Sequence, residues 1–214
     1  TNYISKEPGI YPDILNPLED GELEAIGWYQ SLWIKVSEEA PVGEHKITAE
    51  LVSDNDKKSC ELIYNVLPID LPKGDLIFTQ WFHADCIATY YNVEAWSEKH
   101  WELVETFIKT AARNGINMLL TPIFTPPLDT EVGKERPTVQ LIEIEKNGDD
   151  YSFDFSKLER WVQICRKYGI EYFEMAHLFT QWGAKFTPKI EAYENGEKRR
   201  IFGWDVSAAD PRYE

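Results

Sequence analysis

Trp81, His83 and Asp85 fall within five residues, WFHAD, at the end of an apolar run. His177 closes a second such run, FEMAH, and Gln181 and Trp182 follow it in a Thr-Gln-Trp-Gly corner. Trp204, with Asp205 beside it, ends a third passage, FGWD. Imidazole, carboxylate, amide and indole groups gathered where apolar runs stop can hold a polar, ring-shaped ligand. The planar acceptors and donors would take its hydroxyls, and the indole faces its C–H side. Each residue also has a plainer reading. His83 and Asp85 stand at alternate positions past the first strand, which predicts that they point the same way, and the pair can simply knit two loops together. An H-x-D metal site is a third reading, but no further ligands stand at suitable spacing. His177 can be a satisfied core histidine, and Trp182 and Trp204 can pack their corners. Trp96, Trp101 and Trp161 sit in helical patterns and belong to a core.

The bulk composition narrows the classes. Of 214 residues, 43% are hydrophobic and 14% aromatic, with eight tryptophans and eleven tyrosines. That is a globular chain long enough for one large domain or two modest ones. The net charge of −15, from 37 acidic against 22 basic residues, repels phosphate backbones, so nucleic acid is not an expected partner. The one basic clump, EKRR at 197–200, follows the turn-forming Asn195-Gly196 and reads as a solvated hairpin arm. Cys60, Cys86 and Cys165 are too few and too scattered for a disulfide framework or a structural zinc site. No stretch approaches the roughly 20 apolar residues of a membrane span. No leader is legible in a chain that begins at Thr1, which leaves cytoplasmic and secreted bacterial locations both open. No motif calls for a cofactor or a metal.

Two grammars run along the chain. Residues 1 to about 72 read as β. SLWIKVS alternates with period two, and EHKITAELVS and SCELIYNVLP continue the pattern across a polar turn at DNDKK. Short strands at this spacing predict a β-sandwich, incomplete at its N-terminus and closed by IDLPKGD. From about residue 73 the order is β, α, β, α, β. The strands are LIFTQWF, INMLLTPIF and IEYFEMAHLF, each near-continuously apolar. Ser97 is the expected cap of the first helix, with Trp96 and Trp101 as a hydrophobic staple, and Asn114-Gly115 its end. SKLE at 156–159 reads as a capping box, and that helix stops at Gly169. Asn147-Gly148 and Asn195-Gly196 mark two hairpins in the long excursions. Alternating strands and helices predict a parallel sheet whose site lies at the strands' C-terminal ends, from which those excursions leave. There is no GxGxxG and no GxxxxGK, so a TIM-type (β/α)₈ barrel is favoured over a doubly wound nucleotide fold. Three strands and two helices fall short of the eight strands and roughly 250 residues of a closed barrel. The fold class expected is therefore multi-domain, a β-sandwich at 1–72 followed at 73–214 by the first three β/α units of a truncated barrel.

The module built on SLWIKVSEEAPVGEHKITAEL and closing with VLPIDLP resembles the β-sandwich that precedes the barrel in glycoside hydrolase family 123 and in the broader domain-of-unknown-function family 4091. QWFHADCIATYY, GINMLLTPIFTPPLD and FEMAHLFTQWGAKFTPKI are similar to that family's first three barrel strands with their loops. The resemblance covers nearly the whole chain. It implies a β-N-acetylgalactosaminidase working by substrate assistance, in which the sugar's own 2-acetamido oxygen attacks the anomeric carbon. An adjacent Asp-Glu pair orients that group and supplies the general acid and base. This sequence contains no Asp-Glu dipeptide, so the resemblance places the pair beyond residue 214, and no catalytic residue is named here. The residues carried forward as substrate-binding are Trp81, His83, Asp85, His177, Gln181, Trp182 and Trp204. The expected partners are an amino-sugar glycan and the remaining C-terminal part of the same polypeptide. The alternative is a non-catalytic carbohydrate-binding or assembly module using the same cleft, and a glycosidase of other specificity is a third reading.

Overall fold

The computed structural model describes residues 17–18, 21, 32–34, 40–70, 74–127, 135–180 and 183–213. The chain divides into two compact units, Thr1–Lys73 and Gly74–Glu214.

In the first unit, β1 (Gly43–Val52) and β2 (Lys57–Val66) form an antiparallel hairpin in which Gly43 faces Val66 and Val52 faces Lys57. The Ser53 N–H closes its turn on the Asp56 carbonyl at 2.8 Å. His45 and Tyr64, directly paired across the strands, stack with ring centroids 5.2 Å apart. Of the strand predicted over SLWIKVS, only residues 32–34 are described, and they belong to no regular element. Among the described residues the sheet of this unit has two strands.

The second unit begins with the run predicted as a doubly buried strand, LIFTQWF. Among the described residues it pairs through a single parallel bridge, from Thr79 to Met118. Leu76, Ile77 and Phe78 are consequently 76, 49 and 44% exposed. Asn117 substitutes for the missing ladder: its side chain accepts the Phe78 N–H at 2.8 Å and donates to the Leu76 carbonyl at 2.9 Å.

Residues beyond Trp81, where the sequence reads as loop, form helix α1 (Ala84–Tyr91). Helix α2 (Glu98–Arg113) follows, then β3 (Met118–Thr121). The excursion after β3 builds the hairpin β4 (Glu143–Asn147) and β5 (Asp150–Asp154), and leads into α3 (Ser156–Lys167) and β6 (Tyr172–Met175). β3 and β6 pair in parallel, Met118 with Tyr172 through Thr121 with Met175. The second hairpin, β7 (Ile190–Glu194) and β8 (Glu197–Phe202), turns at Asn195 and Gly196, both at positive φ. The two hairpins join into one sheet of order β5-β4-β7-β8 through a short parallel contact of β4 with β7. Gln140, 5% exposed, completes that joint by bonding both the N–H and the carbonyl of Glu191.

Helix ends follow local chemistry. Ser97 caps α2, its hydroxyl accepting the His100 N–H. The His100 Nδ1 in turn accepts the Trp96 N–H at 2.9 Å, the part a Glu plays in the usual capping box. The Trp96–Trp101 staple is present, with ring centroids 4.4 Å apart. At α3 the Ser156–Glu159 box does not form. Instead, the Asp154 carboxylate accepts both the N–H and the hydroxyl of Ser156 at 2.9 Å, and these bonds hold it below the usual carboxylate range. A charged acceptor already placed at the end of β5 outcompetes a hydroxyl. α2 and α3 both end with a glycine at positive φ, Gly115 and Gly169, whose N–H and the next one bond back into the last turn. The core beneath joins Trp101, Val104 and Ile108 of α2, Trp161 and Cys165 of α3, and Leu119 of β3. A second cluster, Ile144, Ile190, Ala192 and Phe202, backs the four-stranded sheet. Among the described residues, no helix is long and apolar enough to cross a membrane.

Candidate functional site

Strand alternation decides which residues of the parallel sheet face away from the core of Leu119 and Phe173. Leu119 and its register partner Phe173 pack into the core beneath the helices. Leu120 and Glu174, one residue on in each strand and paired with each other, therefore face the opposite side. There the Glu174 carboxylate accepts the indole N–H of Trp81 at 2.7 Å, across 93 residues of chain. His177 stands just past β6, exposed, its ring edge-on to Trp81 at 6.0 Å. Trp81 is 39% exposed. Three groups thus meet at the C-terminal ends of the first and third parallel segments: an amphipathic ring, a carboxylate with spare acceptor capacity, and an imidazole.

His83 and Asp85 are not neighbours on extended chain. Helix α1 starts between them, with His83 as its N-cap, so the period-two argument for a shared direction fails. Asp85 is 4% exposed, and both its oxygens are taken by Arg136, whose Nε and one terminal nitrogen each donate at 2.9 Å. This buried pair fastens the first turn of α1 to the segment that returns from the β3 excursion. His100 fastens the same turn from below: its Nε2–H donates to the Ala84 carbonyl at 2.9 Å. The two bonds fix a neutral imidazole, protonated at Nε2 and accepting at Nδ1. Burial pushes its pKa down, opposed by the bond to Ala84 and by the Asp85 charge.

Beyond Arg136, a run of ion pairs continues along the hairpin sheet. Lys189 lies 3.2 Å from both Glu135 and Glu191, and Arg200 lies 3.2 Å from Glu135 and 3.0 Å from Asp205. Trp204 follows β8, half-buried, and among the described residues it makes no ring contact with Trp81 or His177. Asp205, read as its companion, is engaged by Arg200. Gln181 and Trp182 lie outside the described residues. Among those described, no group of three or more His, Cys, Asp or Glu side chains is placed to hold a metal ion.

The structure thus brings Trp81 and His177 together and adds two residues that the sequence reading missed. Glu174 carried a usable signal, as a lone carboxylate inside an apolar strand. Arg136 carried none, because its partner lies 51 residues away in the chain.

The profile of "Glycoside hydrolase 123, catalytic domain" matches residues 81–214. No curated protein sequence matches the chain significantly. Among solved structures, a family 123 glycoside hydrolase from Clostridium perfringens, studied for glycolipid glycan hydrolysis, superposes with a TM-score of 0.56 at 20% identity. The likeness covers 79% of this chain and 31% of that one, and at this identity it concerns the fold. The profile match begins at Trp81 itself and takes in Glu174, His177 and the Asp85–Arg136 pair, more than half of the chain. On that match the chain belongs to glycoside hydrolase family 123.

Proposed function

We propose that the protein is a glycoside hydrolase of β-linked N-acetylhexosamine glycans of the N-acetylgalactosamine type. It would retain anomeric configuration through attack by the substrate's own 2-acetamido group. In this reading Gly74–Glu214 is the opening of a (β/α)₈ barrel and Thr1–Lys73 belongs to a β-sandwich. The residues described here supply a wall of the sugar cleft. The acid and the acetamido-orienting carboxylate are assigned to an Asp-Glu pair outside these 214 residues, which contain no such dipeptide. The observation that carries the reading is the Trp81–Glu174–His177 group at the strand ends, inside the family-matched region. An indole offers a C–H-complementary face, and a carboxylate takes hydroxyl protons. His83, Gln181, Trp182 and Trp204 are proposed as further contacts. Asp85 acts through Arg136, holding α1 in place.

The test is release of nitrophenol from an aryl β-N-acetylgalactosaminide by the intact protein, with product configuration followed by proton NMR. The β-anomer should appear first, and Trp81→Ala should lower kcat/KM by about tenfold or more, roughly the loss of one good aromatic contact. Inertness on every β-linked amino sugar would remove the proposal. The second reading is a module that uses the same Trp81–Glu174–His177 group to bind glycans without cleaving them. It predicts quenching of tryptophan fluorescence by the same sugars with no turnover.

A further inference from the structure

Glu174 lies on the face of the parallel sheet opposite Leu119 and Phe173, partly buried. Its described hydrogen bond is the one it accepts from Trp81, and among the described residues no lysine or arginine pairs with it. A carboxylate offers about four acceptor positions, and one indole N–H occupies one of them. The rest border a half-exposed tryptophan and an exposed histidine. Groups that fit these acceptors are hydroxyl and amide donors carrying no negative charge. A sulfate or carboxylate on the ligand would meet a like charge at short range in a partly desolvated place, where repulsion costs more than in open water. The net charge of −15 opposes the approach of acidic glycans from further away. The neighbouring carboxylates do not share this role: Asp85 is buried against Arg136, and Asp205 is held by Arg200.

Resting on the glycoside hydrolase reading above, we infer that Glu174 is a specificity-determining residue. The saccharide unit that lies against Trp81 is a neutral one, and units bearing sulfate or carboxylate there are excluded. Trp81 holds the carboxylate in place through its N–H, and Glu174 fixes the ring's tilt in return.

The experiment compares binding of methyl β-N-acetylgalactosaminide and of its 6-sulfate to the intact protein by calorimetry. Glu174→Gln and Trp81→Phe are measured alongside. The wild-type protein should favour the neutral sugar by about tenfold or more, a modest effect for one like-charge contact. Raising the ionic strength should narrow that gap. Glu174→Gln keeps the shape and an acceptor for Trp81, so the neutral sugar should lose less than about tenfold while the preference falls to near parity. Trp81→Phe removes the donor but not the charge, and should keep the preference. Equal binding of the two sugars by the wild type, or a preference that survives Glu174→Gln, overturns the inference and leaves the glycosidase reading standing. A preference lost equally in both variants assigns it to shape and also overturns the inference. Binding of neither sugar removes the underlying reading, and the inference with it.

Discussion

At the scale of single residues, the Asp85–Arg136 pair is the strongest fixed point near the strand ends. Its side chains are 5 and 12% exposed, and the contact is bidentate. Removing one partner from such a pair costs about 3–5 kcal/mol, because the other charge is left buried and unpaired. Arg136→Met should therefore lower the urea midpoint of the Gly74–Glu214 unit sharply. Asp85→Leu combined with Arg136→Met should recover most of the loss. If the double variant were as unstable as the single one, the pair would be acting through something other than charge compensation. The same residues mark what a sequence can disclose. Asp85 is conspicuous in the sequence by its type and by its place after an apolar run. What it bonds to was invisible, since nothing local announces a partner 51 residues on. Trp81 and His177 were legible for the same reason as Asp85. Glu174 was passed over because a strand reading attends to what is apolar.

At the scale of elements, both hairpins were legible, because Asn-Gly pairs demand positive φ and Asn195, Gly196 and Gly148 adopt it. Their union into one sheet was not, since it depends on a two-residue parallel contact and on Gln140. Helix α1 escaped notice as well. It has eight residues, no side-chain cap on His83, and an ending at Asn92 instead of glycine. It is held from outside, by Arg136 and by His100. The His100 joint gives α1 and α2 a shared pH dependence. The unfolded chain titrates this histidine near its ordinary value of about 6.5, whereas burial lowers the value in the fold. On acidification the unfolded state therefore takes up the proton first. The stability contributed by neutral His100 is complete above about pH 7 and declines as pH falls through 6.5 towards the lowered folded value. Between pH 7 and 5 the paired carboxylates Glu98, Glu105 and Asp154, all held low, remain ionised. Denaturation curves over that window should show a loss of stability that His100→Gln flattens. An unchanged slope in the variant would assign the effect to another group.

At the scale of the whole molecule, the chain carries its cysteines as reporters of two separate units. Cys60 is exposed on β2 of the first unit, and Cys86 is exposed on α1 of the second. Cys165 is buried in the second unit's core beside Trp161, Ile108 and Ile170, and burial pushes its thiol up to about 12. Since the thiolate is the reactive form, two barriers protect Cys165: access, and the scarcity of thiolate at ordinary pH. Steric cover and desolvation vanish together when the core opens, so its labelling reports opening of Gly74–Glu214 and of nothing else. A maleimide at pH 8 should modify two thiols per native molecule promptly, with mass mapping assigning them to Cys60 and Cys86. Modification of Cys165 should wait for urea, and its rate should follow the unfolding of the second unit. Should β1 and β2 separate at lower urea than the α2–α3 core, the Cys60 environment would change while Cys165 stayed protected. Coincident changes at both cysteines would instead show that the two compact units fold as one cooperative body. Prompt labelling of Cys165 in the native protein would contradict the packing of α3 onto α2, and with it the scaffold that holds Trp81 and Glu174 together.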